Sequence, residues 1–278
     1  MPDFELPETK HLALELRGSI LRVTFNRPEV RNAMSFAMVE ELIAVFDALE
    51  DSAEVRVVIL RGAGGNFSAG GDIKDMARVH AAPVPDNPGG PDDPMAVANR
   101  KFGTMLSVIE TAPQAVVAVV EGAVMGGGFG LACVADVTLA HAEAKFRLPE
   151  TSLGIPPAQI APFIVRRIGL TEARRLAVTG GRLDGHKAKA IGLVHEVYDD
   201  AEALETGLAA TLADIRRCAP EAVAITKDLV ISSLSENIEV LLDRGAREFA
   251  KAIRGPEGKE GTMAFLEKRP PSWAREDA

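Results

Sequence analysis

The chain has 278 residues, enough for one large domain or two small ones with a sizeable buried core. Hydrophobic residues make up 47% and charged residues 26%, which excludes disorder as the main state. Lys and Arg total 31 against 40 Asp and Glu, a net charge of −9. Neither nucleic acid nor an anionic membrane is an expected partner, because both attract a basic face.

In chain order, Leu12, Leu14 and Leu16 alternate with Ala13 and Glu15, and Arg17-Gly18 offers a turn into the partner strand Ile20–Phe25. Asn26-Arg27-Pro28 closes this hairpin, since proline cannot continue a ladder. Ser35 is a helix cap, and Val39, Leu42, Ile43, Phe46 and Leu49 follow the helical period. Val55 to Leu60 reads as a buried strand, broken by Arg61-Gly62-Ala63-Gly64-Gly65. Ala81 to Pro94, rich in Pro and Gly, excludes a regular helix or central strand. It is read as a surface loop or as a flap beside a site. Ala115 to Val120 is a second buried strand, stopping at Glu121, far short of the ~20 residues of a membrane span. A glycine cluster, a buried helix over Phe129 to Val134 and a strand over Val137 to Ala140 follow. This alternation predicts an α/β protein.

Beyond about Asp200 the pattern is helical. Leu204, Leu208, Leu212 and Ile215 share one face, and Ile238, Leu241, Leu242 and Phe249 share another. The expected division is a core carrying the site over 1–200 and a helical region over 201–278. Cys133 and Cys218 provide neither a disulfide framework nor metal spacing, and no secretory signal opens the chain. A reducing, cytoplasmic setting and no metal are therefore expected.

Several chemistries drop out. Gly62-Ala63-Gly64-Gly65-Asn66-Phe67 lacks the last glycine of a dinucleotide turn, and no lysine with Ser/Thr follows a glycine at P-loop spacing. His11, His80, His141, His186 and His195 show no zinc spacing. Ser68 lacks the preceding glycine of a nucleophile elbow.

Two glycine turns remain, each after a strand: 66–74, with Gly70 and Gly71, and 121–130, with Gly126, Gly127 and Gly128. Either is a tight packing turn, or a place where backbone N–H groups face a ligand. A helix starting near Gly127 adds its positive N-terminal end. Two such donors converging on one oxygen form an oxyanion hole for an enolate-like intermediate. Glu150 lies between a strand and the Gly/Pro-rich loop Gly154-Ile155-Pro156-Pro157. It is a solvated loop carboxylate, or, if buried among apolar groups, a proton donor and acceptor of raised pKa.

Together these segments resemble the enoyl-CoA hydratase/isomerase (crotonase) family over nearly the whole chain. The resemblance is carried by Phe25-Asn26-Arg27-Pro28, Asn32-Ala33-Met34, Ser68-Ala69-Gly70-Gly71-Asp72-Ile73-Lys74, Gly126-Gly127-Gly128, Leu148-Pro149-Glu150 and the segment 260–269. It implies an α/β, crotonase-like spiral of ββα units with a helical C-terminal trimerisation region, assembled as a homotrimer or a dimer of trimers. It also implies an acyl-CoA thioester as substrate, with no separate cofactor.

By the same resemblance, Gly71 and Gly127 are the oxyanion donors and Glu150 the acid/base. Arg27, Val30, Arg31, Ala69, Gly70, Asp72, Ile73, Gly126 and Pro149 border the thioester or its CoA. Phe265 and Lys268 reach CoA near the subunit boundary.

The chain departs from the two-glutamate hydratases at Gly130, where those carry their first glutamate. Its Gly126–Leu131 and Gly154–Phe163 segments, with Arg166-Arg167-Ile168-Gly169, resemble the branch acting on branched glutaconyl-CoA thioesters. That branch comprises the isohexenylglutaconyl-CoA and 3-methylglutaconyl-CoA hydratases of acyclic terpenoid and leucine breakdown. The expectation is hydration of such a thioester, with the substrate's second carboxylate or Gln159 taking over part of the missing glutamate's role. The alternatives are a Δ3,Δ2-enoyl-CoA isomerase using Glu150 alone, and a silent CoA-binding protein.

Overall fold

The computed structural model describes residues 5–81, 83–84 and 86–274. The hairpin forms as the alternation predicts: β1 (Leu12–Arg17) and β2 (Ile20–Phe25) pair antiparallel, from Leu12 opposite Phe25 to Arg17 opposite Ile20. Ser35 caps α1 (Phe36–Leu49) by accepting the Met38 N–H at its side chain. Met38, Val39, Leu42, Val45, Phe46 and Leu49 turn into the core.

The next strand, β3 (Val57–Gly62), starts two residues later than the apolar run. Its parallel register with β2 begins at Val57 opposite Ile20, and the N–H groups of Arg56 and Val57 both donate to Ser19 O. Val55 is buried in the loop before it.

Two helices then appear that the hydrophobic period does not announce, α2 (Ile73–Ala81) and α3 (Pro94–Thr111). Asp93 caps α3 by accepting the Met95 N–H at 2.8 Å. The buried residues of α3, Gly103, Met105, Leu106 and Ile109, all lie in its second half, so its first turns add no buried face to the pattern. The Pro/Gly segment is the connection between these helices. Ala81 and Pro94 are helix ends rather than loop, and Ala82 and Pro85 lie outside the described residues.

The remaining elements are β4 (Ala115–Val120), β5 (Ala123–Met125), α4 (Gly127–Val134), β6 (Val137–His141), β7 (Lys145–Arg147), α5 (Ala161–Thr179), β8 (Arg182–Leu183), α6 (Gly185–Ala190) and β9 (Glu196–Tyr198). Four helices close the chain: α7 (Ala201–Arg216), α8 (Pro220–Ser232), α9 (Ile238–Ala252) and α10 (Pro256–Leu266). One sheet runs β1-β2-β3-β4-β6-β9, parallel except at β1, and a second runs β5-β7-β8.

β4 explains why its sequence is apolar at every position: both faces are covered. Val116, Ala118 and Val120 enter the main core with α1, α3 and α4. Val117 and Val119 face Val57, Ile59, Leu139 and the α7 residues Leu204 and Leu208. Each buried leucine contributes roughly 1.5–3 kcal/mol to holding α7 on that face. Farther on, the buried Lys227 ammonium donates to Asp136 at 2.8 Å and to Gln114 O at 3.1 Å. Arg56 donates to the carbonyls of Arg216, Cys218 and Trp273. Both contacts tie the helical end to the strands.

The second predicted face behaves differently. Leu241 is buried, whereas Ile238, Leu242 and Phe249 are 60%, 59% and 70% exposed. That stripe is amphipathic, but the chain's own core does not cover it. No helix among the described residues is long and apolar enough to cross a membrane.

Candidate active site

The site grows from the loop after β2 and the turn after β3. Asn32, fully buried with φ 55°, is their hub. Its Oδ1 accepts the Arg27 N–H at 2.9 Å, and its amide donates to Ala63 O and Asn66 O at 2.9 and 2.6 Å. Ser68, also fully buried, donates its hydroxyl to Asn32 O at 2.8 Å and accepts the Gly70 N–H at 3.2 Å. Asn32→Ala removes the side-chain partner of the Arg27 N–H, Ala63 O and Asn66 O and is expected to lower unfolding free energy by about 3 kcal/mol, read from urea unfolding.

A parallel bridge joins Met34 to Gly71. Met34 N–H donates to Gly70 O at 2.8 Å, and Asp72 N–H donates to Met34 O at 3.0 Å. In this pattern the N–H and C=O of Gly71 take no part and point away from Met34. Gly71 is exposed, so its N–H is available to a ligand.

The second turn abuts the first. Gly70 has φ 92°, and a Cβ on it would lie 2.9 Å from Met125 O and 3.6 Å from the Gly126 Cα. Gly126 donates its N–H to Arg147 O at 3.0 Å. Gly127 opens α4, so its N–H has no intrahelical acceptor, and it is half-buried. The two glycine turns therefore meet back to back and bring both candidate oxyanion donors to one place. Methyl and ring groups cap them: Met34 Cε and Phe102 Cζ lie 2.5 and 2.6 Å from a Cβ built on Gly127, and Met76 Cε 2.8 Å from one on Gly71. Met76 and Phe102 are absent from the sequence expectations because α2 and α3 were not foreseen. The one local signal was the Gly71-Asp72 start of a helix four residues before Met76.

Glu150 begins a 3-10 turn (Glu150–Leu153) after β7. A Cβ on Gly126 would lie 2.7 Å from its Oε1, so the absence of a side chain there makes room for the carboxyl group. Its Oε2 is buried and has no hydrogen-bond partner among the described residues. Burial pushes the Glu150 carboxyl above its ordinary value, only partly offset by a hydrogen bond from its own backbone. The solvated-loop reading is thus set aside. The result is a carboxyl group of raised pKa at the N-terminal end of α4, with Pro149 half-buried just before it.

Position 130 is filled. A Cβ on Gly130 would meet Ile160 Cγ2 at 2.5 Å and Leu106 Cδ1 at 3.5 Å. Gln159 donates its amide to Asn99 at 3.1 Å and packs on Gly103 of α3.

Among the residues expected along CoA, Val30 ends a 3-10 turn, and exposed Arg31, at φ 51°, accepts the Ala69 N–H at its carbonyl, 2.9 Å. Ile73 is 75% exposed. Arg27 donates to Asp72 at 2.7 Å and to Ala33 O at 2.5 Å. Burial would raise the Asp72 carboxyl, but the Arg27 hydrogen bond and charge and the Lys74 N–H hold it below its ordinary value. Phe265, at the end of α10, is 84% exposed, and Lys268 follows it at φ 53°.

Residues 15–276 match the family described as enoyl-CoA hydratase/isomerase. The chain belongs to that family. As an enoyl-CoA hydratase/isomerase it has the crotonase-type α/β fold with a helical C-terminal region. The structure of Pseudomonas aeruginosa AtuE superposes with a TM-score of 0.91 at 56% identity, covering 96% of this chain and 100% of that one. The short-chain-enoyl-CoA hydratase of Clostridium acetobutylicum is 30% identical over 269 residues, 94% of this chain and 97% of its own. The mitochondrial methylglutaconyl-CoA hydratase of Mus musculus is 31% identical over 276 residues, 96% of this chain and 83% of its own.

Proposed function

We propose that this enoyl-CoA hydratase adds water across the α,β double bond of a branched glutaconyl-CoA thioester. The observation that carries the chemistry is the half-buried Glu150 carboxyl, its Oε2 buried without a hydrogen-bond partner and its Oε1 packed against Gly126, beside the N–H groups of Gly71 and Gly127, which have no acceptor among the described residues. The thioester carbonyl accepts from both N–H groups. Glu150, ionised, takes a proton from water as its oxygen bonds to C3, and the C2=C3 π electrons move onto the carbonyl oxygen as an enolate. The protonated Glu150 then delivers that proton to C2. One carboxyl group balances the whole addition, and the step calls on no metal or redox cofactor.

The branched, acidic substrate is supported by the resemblance of the 126–131 and 154–163 segments and by the likeness to the mouse methylglutaconyl-CoA hydratase. Position 130 has neither a side chain nor space for one, and the Gln159 amide is engaged with Asn99. A carboxylate carried by the substrate is then the available second polar group for placing the water. Assembly into trimers, or a dimer of trimers, is supported by the uncovered apolar stripe of α9 and by Phe265 and Leu266, 84% and 74% exposed.

The test is turnover read by mass on crotonyl-CoA, a 3-enoyl-CoA, 3-methylglutaconyl-CoA and isohexenylglutaconyl-CoA. Gain of one water on a glutaconyl thioester, with crotonyl-CoA much slower, is the expected result. Conversion of the 3-enoyl thioester without mass change would replace hydration by isomerisation. Binding without turnover across the panel would replace it by a silent CoA-binding role.

A further inference from the structure

The turn that carries Gly71 has little stiffness of its own. Gly70 sits at φ 92° and Gly71 has no side chain to pack, so the direction of the Gly71 N–H is set by its flanks. On one side, Ser68 Oγ takes up the Gly70 N–H. On the other, Asp72, 6% exposed, is held at three of its own atoms. Its N–H donates to Met34 O at 3.0 Å, Oδ1 accepts the Lys74 N–H at 2.8 Å, and Oδ2 accepts from Arg27 at 2.7 Å. Arg27, whose side chain is 15% exposed, spends a second nitrogen on Ala33 O. The pair spans 45 positions of sequence and links the loop after β2 directly to the residue following Gly71.

We propose that the Arg27–Asp72 pair is a latch that fixes the direction of the Gly71 N–H toward the thioester carbonyl. Both are positioning residues rather than contacts to the phosphates of CoA. This rests on the assignment of Gly71 as an oxyanion donor made above. The physical grounds are three. A guanidinium already paired with a buried carboxylate and a carbonyl has little charge left to offer a phosphate. A charge-assisted bond has a defined direction, which apolar packing lacks, so it specifies an orientation. An oxyanion donor is useful only when its direction is set before the carbonyl arrives.

Arg27→Lys, Asp72→Asn and the double variant Arg27→Gln/Asp72→Asn test this. The readouts are kcat and KM on the best thioester of the panel, and the carbonyl stretch of a bound, saturated, carbonyl-labelled acyl-CoA by difference infrared spectroscopy. Each single variant is expected to lower kcat about 10- to 100-fold, because a small misplacement of the donor weakens it only in the transition state. KM should change by less than about 3-fold. The carbonyl band should move back toward its position in free thioester, and the double variant should lose no more than the worse single one.

A rise in KM with kcat and the band unchanged would overturn the proposal and make Arg27 a phosphate contact. A loss of melting temperature with the band unchanged would overturn it too, leaving a purely structural pair. Arg27→Lys keeps the charge and the stem, so it carries the test if Asp72→Asn fails to fold. The infrared arm uses a thioester that does not react, so it reads the latch even if the glutaconyl preference is wrong. A wild-type band that binding does not shift would instead overturn the oxyanion assignment itself.

Discussion

Glu150→Gln is expected to lower kcat for hydration by about 10²- to 10⁴-fold while leaving acyl-CoA affinity close to wild type. The amide keeps the shape of the side chain against Gly126, but it can neither take the proton of water nor return one to C2. The pH dependence carries a second signature. Burial raises the carboxyl above the ordinary 4.5 of a glutamate, and the ionised form is the base that starts the addition. The acid limb of kcat/KM against pH should therefore lie above the ordinary glutamate range, with activity lost as pH falls through it.

Stability runs the other way. A folded-state pKa above the unfolded one means that this group's stabilising contribution is full at low pH and is lost as pH rises through the folded value. A pH–rate profile and melting temperatures over the same range check both signs. Full activity in Glu150→Gln would show that another group moves the proton.

Gly126→Ala is expected to cost about 100-fold in kcat for a different reason. Gly126 has φ 50° and ψ −115°, a conformation that strains an L-residue by about 1–3 kcal/mol. Its new methyl group would lie 2.7 Å from Glu150 Oε1, so the carboxyl group must move off the end of α4. Melting temperature should fall together with kcat. In the double variant Gly126→Ala/Glu150→Gln the kcat loss should be no larger than that of Glu150→Gln alone, because both act on the same proton transfer. Additive losses would mean that Gly126 serves the donor at Gly127 and not the carboxyl group.

Much of the fold was legible along the chain because it is written in local patterns. The β1–β2 alternation, the Ser35 cap with the period of α1, and the unbroken apolar run of β4 each predict their element within a few residues. Helices α2 and α3 were not legible. Helix α2 has only nine residues, four of them charged or histidine, and α3 buries residues only in its second half, so each offers only a short stretch of hydrophobic period. The stripe of Ile238, Leu242 and Phe249 was legible as amphipathic, but the pattern does not say what it faces, and the single chain leaves it uncovered.

The glycine turns and Glu150 could be named as candidates from residue type and position, and the family resemblance from their order and spacing. Which of two meanings each carries was decided only in three dimensions. Gly70 and Gly126 stand 56 positions apart in sequence and touch because β3 and β4 are parallel neighbours whose following turns fall at the same end of the sheet. Of the two readings of Glu150, the fold favours the proton donor and acceptor, because it half-buries the side chain and leaves Oε2 without a partner among the described residues. Arg27 and Asp72, which the resemblance places along CoA without relating them to each other, form a largely buried pair. Periodicity and propensity act between residues close along the chain, so the sequence alone determined the elements and the inventory of chemical groups. Burial, pairing and the direction of an N–H depend on residues far apart in sequence, and only the tertiary structure decided those.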